Sequence, residues 1–175
     1  MDVPGLRPTT DRIRETLFNW LGQNLEGLRC LDVFAGTGAL GFEAASRHAA
    51  MVLLIERDKK AFINLENNLK ALQSTKVDGQ IEILCHDGLA FLKSQPNYSW
   101  DLVFLDPPFD DKTALELSIR ESARVCTETP QSAIYIEAPL SMDSLKIEAW
   151  LSNWECVKQM TAGQVKAFLF RLRRG

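Results

Sequence analysis

The sequence predicts an α/β fold: a mostly parallel sheet with helices on both faces and an antiparallel last strand. Three observations predict it. Short apolar runs alternate with amphipathic segments along the chain, the βαβα rhythm of a parallel sheet covered on both sides. The strand-like run Leu28–Phe34 opens directly into a glycine turn, Gly36–Gly41, and a helix. The last two strand-like runs, Trp154–Met160 and Val165–Leu172, are joined only by Thr161-Ala162-Gly163-Gln164. A parallel crossover needs about a dozen residues or more, so this connection is a hairpin.

The elements follow in order. Thr9-Thr10-Asp11 starts a helix whose apolar face carries Ile13, Leu17 and Leu21 at helical spacing. Leu28–Phe34 is a buried strand, and the helix after the glycine turn runs to about His48. Met51–Glu56 is the second strand. Asp58 caps a helix in which Phe62, Leu65, Leu69 and Leu72 recur every three or four residues. Ile81–Cys85 is the third strand and Gly88–Lys93 a short helix. Asp101–Leu105 is the fourth strand, stopped by two prolines. Thr113–Val125 is a helix, Ala133–Glu137 the fifth strand, and Met142–Leu151 a further helix before the hairpin.

At 175 residues the chain suits one domain with its own core. No apolar run approaches the ~18 residues of a membrane span. The start, MDVPGLRPTT, lacks a basic segment followed by an apolar stretch, so it does not read as a secretory signal. Cys30, Cys85, Cys126 and Cys156 are far apart, which argues against both a zinc site and a disulfide framework. Cys30 and Cys85 fall in apolar runs and read as small core residues. Reduced thiols without a leader point to the cytoplasm. The net charge of −3 does not advertise nucleic-acid binding. However, Arg7, Arg12 and Arg14 cluster near the start, and Lys158, Lys166, Arg171, Arg173 and Arg174 lie after Cys156 with no acidic residue among them. Such clusters matter for a polyanion only if the fold brings them beside the active site.

Leu31-Asp32-Val33-Phe34-Ala35-Gly36-Thr37-Gly38-Ala39-Leu40-Gly41 is a strand, a glycine turn and a helix start. Glycines let the backbone bend tightly near a ligand, and the helix behind presents free N–H groups. Glu56, 20 positions after Gly36, ends the second strand where a carboxylate can accept from both hydroxyls of a ribose. This arrangement alone serves a dinucleotide as well as S-adenosylmethionine (SAM). Two details favour SAM. Asp32 stands where a carboxylate can meet an amino-acid group, and Asp87, in His86-Asp87-Gly88, where one can accept from an adenine amine. A pyrophosphate is poorly served by Asp32, Glu56 and Asp87 together, whereas a sulfonium tolerates them. His86 reads as a strand-end spacer.

Asp106-Pro107-Pro108-Phe109 stands at the carboxyl end of the fourth strand, where open α/β sheets place their chemistry. These residue types suit methylation of a conjugated amine. The lone pair of a base's exocyclic nitrogen is delocalised into the ring. Acceptors on its N–H groups, the Asp106 carboxylate and the Pro107 carbonyl, favour a pyramidal nitrogen and stabilise the positive charge developing there. Pro107 forces Asp106 to be extended, and Pro107 and Pro108 hold their own φ. Phe109 offers a flat face for an unstacked base.

Leu6-Arg7-Pro8-Thr9-Thr10-Asp11-Arg12-Ile13-Arg14-Glu15-Thr16-Leu17-Phe18, with Leu31–Gly41, Ile55-Glu56 and Asp106–Phe109, resembles the bacterial 16S rRNA (guanine-N2)-methyltransferases of the RsmD type. The resemblance covers nearly the whole chain. It implies a Rossmann-like seven-stranded methyltransferase sheet with a reversed last strand, with SAM as methyl donor. It also implies N2-methylation of one guanine of small-subunit rRNA, within an assembly particle, by a monomer. On this resemblance Gly36, Thr37, Gly38, Glu56 and Asp87 hold SAM, and Asp106–Phe109 take the target amine and base. Thr9, Thr10 and Arg12 would lie over the cofactor or the RNA backbone, and Arg7, Arg171 and Arg173 are further candidates for RNA contact. The family usually carries a short basic segment ahead of this motif, where phosphate contacts would add RNA affinity. This chain starts only a few residues before it.

Three other readings compete. A DNA adenine-N6 methyltransferase shares Asp-Pro-Pro-Phe but carries a target-recognition region, for which no connection longer than ~10 residues is available here. A nicotinamide-dependent oxidoreductase has no use for Asp106–Phe109. An RNA-binding module without turnover would not need the full motif set.

Overall fold

A computed structural model describes residues 8–74, 77–108 and 110–174. Helix α1 (Pro8–Leu21) opens with a proline at its first position, where no N–H is needed. It buries Ile13, Leu17 and Phe18. Then follow β1 (Arg29–Asp32), α2 (Ala39–Ser46), β2 (Met51–Glu56), α3 (Lys59–Leu72), β3 (Gln80–Cys85), α4 (Gly88–Ser94) and β4 (Leu102–Leu105). After these come α5 (Lys112–Val125), β5 (Ala133–Pro139), α6 (Ser144–Glu148), β6 (Trp154–Ala162) and β7 (Val165–Leu172).

The strands form one seven-stranded sheet in the order β3-β2-β1-β4-β5-β7-β6. Pairing is parallel from β3 to β5, and β7 enters antiparallel between β5 and β6. The side chains of β1, β4 and β5 alternate between two cores, as the period of two requires. Leu31, Val103, Leu105, Ile134 and Ile136 meet Leu92 of α4, Leu115 and Ile119 of α5 and Ile147 of α6. Cys30, Leu102, Phe104, Ala133 and Tyr135 meet Leu17 and Phe18 of α1, Ala44 of α2 and Leu65 of α3. Strand order reverses between β1 and β4, so the carboxyl ends of β1 and β4 frame the crevice that such sheets use for ligands.

Three boundaries differ from expectation. Ladder pairing of β1 stops at Asp32, because the chain turns outward toward the glycines. Val33 and Ala35 still donate to the carbonyls of Phe104 and Ile55, at 3.1 and 2.9 Å. The expected helix over 142–151 shrinks to α6. The Met142 N–H is spent in a turn on the Pro139 carbonyl, and Asp143 caps the helix by accepting from the Lys146 N–H at 2.9 Å. The hairpin turn is shorter than expected, because β6 continues through Ala162 and leaves only Gly163 and Gln164. Cys30 is buried as expected, but Cys85 is exposed, since β3 is an edge strand.

Among the described residues no helix is long and apolar enough to cross a membrane.

Candidate active site

A cavity of about 640 Å³ opens at the carboxyl ends of β1, β2, β3 and β4, within the size range of small-molecule sites. One wall is the turn after β1, with Val33, Phe34 and Gly36. Ile55, Glu56 and Arg57 come from β2, and Asp87, Gly88 and Leu89 from the start of α4. Asp106, Pro107 and Pro108 follow β4, and Asp110, Asp111, Ala114 and Ser118 belong to α5 and its cap.

The glycine turn is built by close packing. Gly38 has φ +80°, and a Cβ there would sit 2.5 Å from the Phe42 ring and 2.6 Å from Leu65, so another residue would be strained and would push these side chains aside. Glu56 secures the turn. One of its oxygens accepts from the Gly36 N–H at 2.9 Å and the other from the Asp58 N–H at 2.8 Å. Each oxygen keeps a further lone pair for a ligand hydroxyl. Asp87 caps α4 by accepting from the Ala90 N–H at 2.8 Å, while its second oxygen lies 3.9 Å from the Arg57 guanidinium.

Apart from Arg171 and Arg173, the remaining expected site residues divide into four groups. Asp32 is buried, with its Oδ2 accepting from the Gly41 N–H at 3.1 Å, and it is absent from the cavity wall. Thr37 is exposed beside Gly36, and Gly38 is buried beneath the turn; neither lines the cavity. Arg12 is exposed on α1. Arg7 and Phe109, and the side chains of Thr9 and Thr10, lie outside the described residues.

For Arg171 and Arg173 the expectation of a place beside the site is corrected. Strand β7 runs antiparallel, so Val165 pairs with Pro139 at the cavity end and Phe170 with Ile134 at the far end. The two arginines therefore emerge at the amino end of the parallel strands. There Arg171 donates to the carbonyl of Gln131 at 3.0 Å, and Arg173 meets Glu148 at 3.0 Å and the Trp154 carbonyl at 3.2 Å.

One residue with a bearing on the site was not singled out from the sequence. Glu137, on β5, is only 8% exposed. It accepts a hydrogen bond from the Tyr135 hydroxyl at 2.8 Å, and the pairing of Leu105 with Ile136 sets it beside Asp106. Burial, and then the Asp106 charge, push Glu137 up to about 8. Asp106 opens to solvent on one side but is hemmed in by protein on the others, and this desolvation raises it while the bond from Glu137 lowers it. Asp32 is pushed up to about 7 by burial, against the opposing Gly41 N–H and with help from Asp106 and Glu56. The available signal for Glu137 is a lone carboxylate in the otherwise apolar run Ala133–Pro139.

The hydroxyl of Ser118 is a second such feature. It is fully buried on α5 behind the cavity wall and has no hydrogen-bond partner among the described residues.

Comparison with known proteins places this arrangement. A family model described as "Conserved hypothetical protein 95" matches residues 1–171. Ribosomal RNA small subunit methyltransferase D of Haemophilus influenzae is 39% identical over 175 residues, covering 98% of this chain and 86% of that one. The Escherichia coli protein of the same name is 39% identical over 170 residues, covering 97% and 81%. The solved structure of Escherichia coli yhhF superposes with a TM-score of 0.80 at 37% identity, covering all of this chain and 92% of that one. By family model and by relatives alike, the chain belongs to the Conserved hypothetical protein 95 family and is kin to the ribosomal RNA small subunit methyltransferases D.

Proposed function

We propose that the protein transfers the methyl group of SAM to the N2 amine of a guanine in small-subunit rRNA. The observation that carries this reading is the joining, in one cavity, of the Asp106-Pro107 acceptors with the glycine turn, Glu56 and Asp87. Relatives named as rRNA small subunit methyltransferases supply the substrate class.

The cavity's own chemistry fits SAM better than a dinucleotide. Glu56, Asp87, Asp106, Asp110 and Asp111 line it against one guanidinium, that of Arg57. This surrounding repels a pyrophosphate and suits a cation. When bound, SAM supplies an electrophilic methyl group on a sulfonium sulfur. Glu56 would accept from the ribose hydroxyls and Asp87 from the adenine amine. Asp32 supports the turn from behind through Gly41.

The remaining residues act on the base. The Asp106 carboxylate and the Pro107 carbonyl accept from the two N–H groups of the target amine, turning its lone pair toward the methyl donor. As the N–C bond forms and the S–C bond breaks, positive charge grows on nitrogen beside an anionic carboxylate. The nitrogen's proton is lost after transfer, when the ammonium is a strong acid, so no strong base is needed beforehand. Arg12, exposed on α1, is proposed to contact the RNA, and Thr9, Thr10, Arg7 and Phe109 keep the roles toward cofactor, RNA and base that the motif's resemblance implies.

A tritiated-SAM assay on small-subunit particles lacking the modification, followed by mapping of the labelled nucleotide, tests the reading. Label on a guanine N2 is expected from the wild-type protein. With Asp106→Ala, label should be lost while SAM affinity stays within a few-fold. Label on another atom, or full activity of the variant, would refute it.

A further inference from the structure

Three carboxyl groups stand at or beside the carboxyl ends of the adjacent strands β1, β4 and β5, on the face covered by α1 and α2. Asp32 follows Leu31, Asp106 follows Leu105, and Glu137 follows Ile136; these three apolar residues share the opposite core. Leu105 pairs with Ile136, so Asp106 and Glu137 stand side by side at the ends of neighbouring strands, and each carboxyl feels the other. Two neighbouring carboxyls, one of them buried, do not both ionise readily; one keeps a proton that it can donate to the other. The environment decides which. Glu137 is buried, and one of its oxygens is already taken by the Tyr135 hydroxyl. Asp106 opens to the cavity and to solvent. The neutral form belongs at the drier position and the anion at the wetter one.

We propose that Glu137 is a positioning residue for methyl transfer: as a neutral acid it donates to one oxygen of Asp106, leaving the other free for the target amine. This rests on the reading of Asp106 as amine acceptor. The chain Tyr135 to Glu137 to Asp106 then runs in one donor direction. The tyrosine hydroxyl donates to Oε1 of Glu137, so the acid proton sits on Oε2 and points at Asp106. Tyr135 is itself wedged by its edge-on contact with Phe104, at 6.4 Å between ring centroids, and Phe104 packs on Phe18 of α1 at 6.1 Å. The orientation of the catalytic carboxylate is thus set from inside the core.

Among the described residues no cation compensates Glu137. Asp32 faces it from β1, Asp106 from the end of β4 and Tyr135 from β5. On β7 the residue in register is Ala167. Helix α1 turns Ile13, Leu17 and Phe18 inward. Its charged residues Asp11, Arg12 and Glu15 are exposed, and Arg14 is paired with Asp11 at 3.2 Å and Glu43 at 4.0 Å. Among the described residues no lysine or arginine forms an ion pair with Asp32, Asp106 or Glu137. Ionisation of Glu137, about pH 8, therefore places two anions in contact and breaks the bond that aims Asp106.

The test is kcat against pH, from about pH 6 to about pH 9, with SAM affinity followed in parallel. The wild-type kcat should fall on the alkaline side with a midpoint near 8, while SAM affinity stays flat. Glu137→Gln, whose amide accepts from Tyr135 and donates to Asp106 but cannot titrate, should keep kcat within about threefold near neutrality and lose the alkaline fall. Glu137→Ala should lower kcat at least ~10-fold across the range, with SAM affinity within a few-fold, as expected when one catalytic hydrogen bond is removed. An alkaline fall unchanged in Glu137→Gln, or wild-type kcat in Glu137→Ala, would overturn the proposal. An infrared difference spectrum, wild type minus Glu137→Gln, needs no substrate. It should show the carbonyl stretch of a neutral carboxylic acid near neutrality that disappears as pH rises through 8, and its absence would also overturn the proposal. If that band is present but the wild-type protein methylates no RNA, it is the reading of Asp106 that has failed.

Discussion

Replacing Asp32 by asparagine should stabilise the protein, and by more at high pH than at low. The side chain is 2% exposed, and among the described residues its donor is the Gly41 N–H at 3.1 Å. In the unfolded chain it titrates near its ordinary 3.8, whereas burial lifts it to about 7 in the fold. Below 3.8 both states hold the proton and the residue contributes nothing. Between the two values the folded state binds more protons than the unfolded one, so stability falls as pH rises. Above 7 the loss levels off. About three pH units at ~1.4 kcal/mol each give a full cost of ~4 kcal/mol. Asparagine keeps an oxygen for the Gly41 N–H and never ionises. Any fixed cost of its buried NH2 group is the same at every pH and cancels in a comparison. Urea unfolding of both proteins at about pH 5 and about pH 8 should therefore show the advantage of Asp32→Asn growing by ~2.5 kcal/mol between the two conditions. An advantage that is constant, or that grows toward acid, would refute the reasoning, because it would mean that Asp32 is ionised or solvated in the fold.

Since Asp32 is not on the cavity wall, Asp32→Asn should also leave SAM affinity within a few-fold by calorimetry. Glu56→Ala removes the acceptor of both the Gly36 and Asp58 N–H groups and should weaken SAM binding at least ~10-fold in the same assay. Gly88→Ala would put a Cβ 2.5 Å from the Val33 carbonyl oxygen and 2.9 Å from the Phe34 ring. The backbone contact cannot yield cheaply, so denaturant unfolding should show a loss of ~1–3 kcal/mol, accompanied by weaker SAM binding. Charge reversal at Arg171 and Arg173 together should leave RNA affinity unchanged in a filter-binding assay, because both lie at the end of the sheet away from the cavity. It should lower the melting temperature through loss of the Glu148 contact and the carbonyl bonds.

The legible parts of this molecule were those whose signals are local. Met51–Glu56 was readable to the residue, because an apolar run meets charged residues at Arg57 and Asp58 and Asp58 is a helix cap. The glycine turn, Glu56, Asp87 and Asp106 announce themselves by residue type and spacing, and the fold brings Gly36 and all three carboxylates to one cavity. Asp32 sits behind the glycine turn rather than on the cavity wall, because the chain turns away after β1 at a point that the Leu28–Phe34 run does not mark. Glu137 was overlooked because its significance lies in a neighbour 31 positions earlier, and pairing between β4 and β5 carries no local signature. The placement of Arg171 and Arg173 was within reach. An antiparallel last strand must leave the sheet at the end opposite the ligands, a consequence that follows from the hairpin itself.

The position of β7 between β5 and β6 also bears on assembly. The β6–β7 hairpin is local and can form by itself, but β6 has no strand of the sheet to hold except β7. Until the hairpin docks, β5 presents the ladder edge from Ile134 to Pro139, most of it apolar, to whatever strand arrives first. A bare edge of that kind invites pairing with another chain. Docking of the hairpin is thus the step at which a folding molecule is most open to association with its own copies. Destabilising the Gly163-Gln164 turn should therefore register as aggregation during refolding before it registers in the activity of molecules that have already folded.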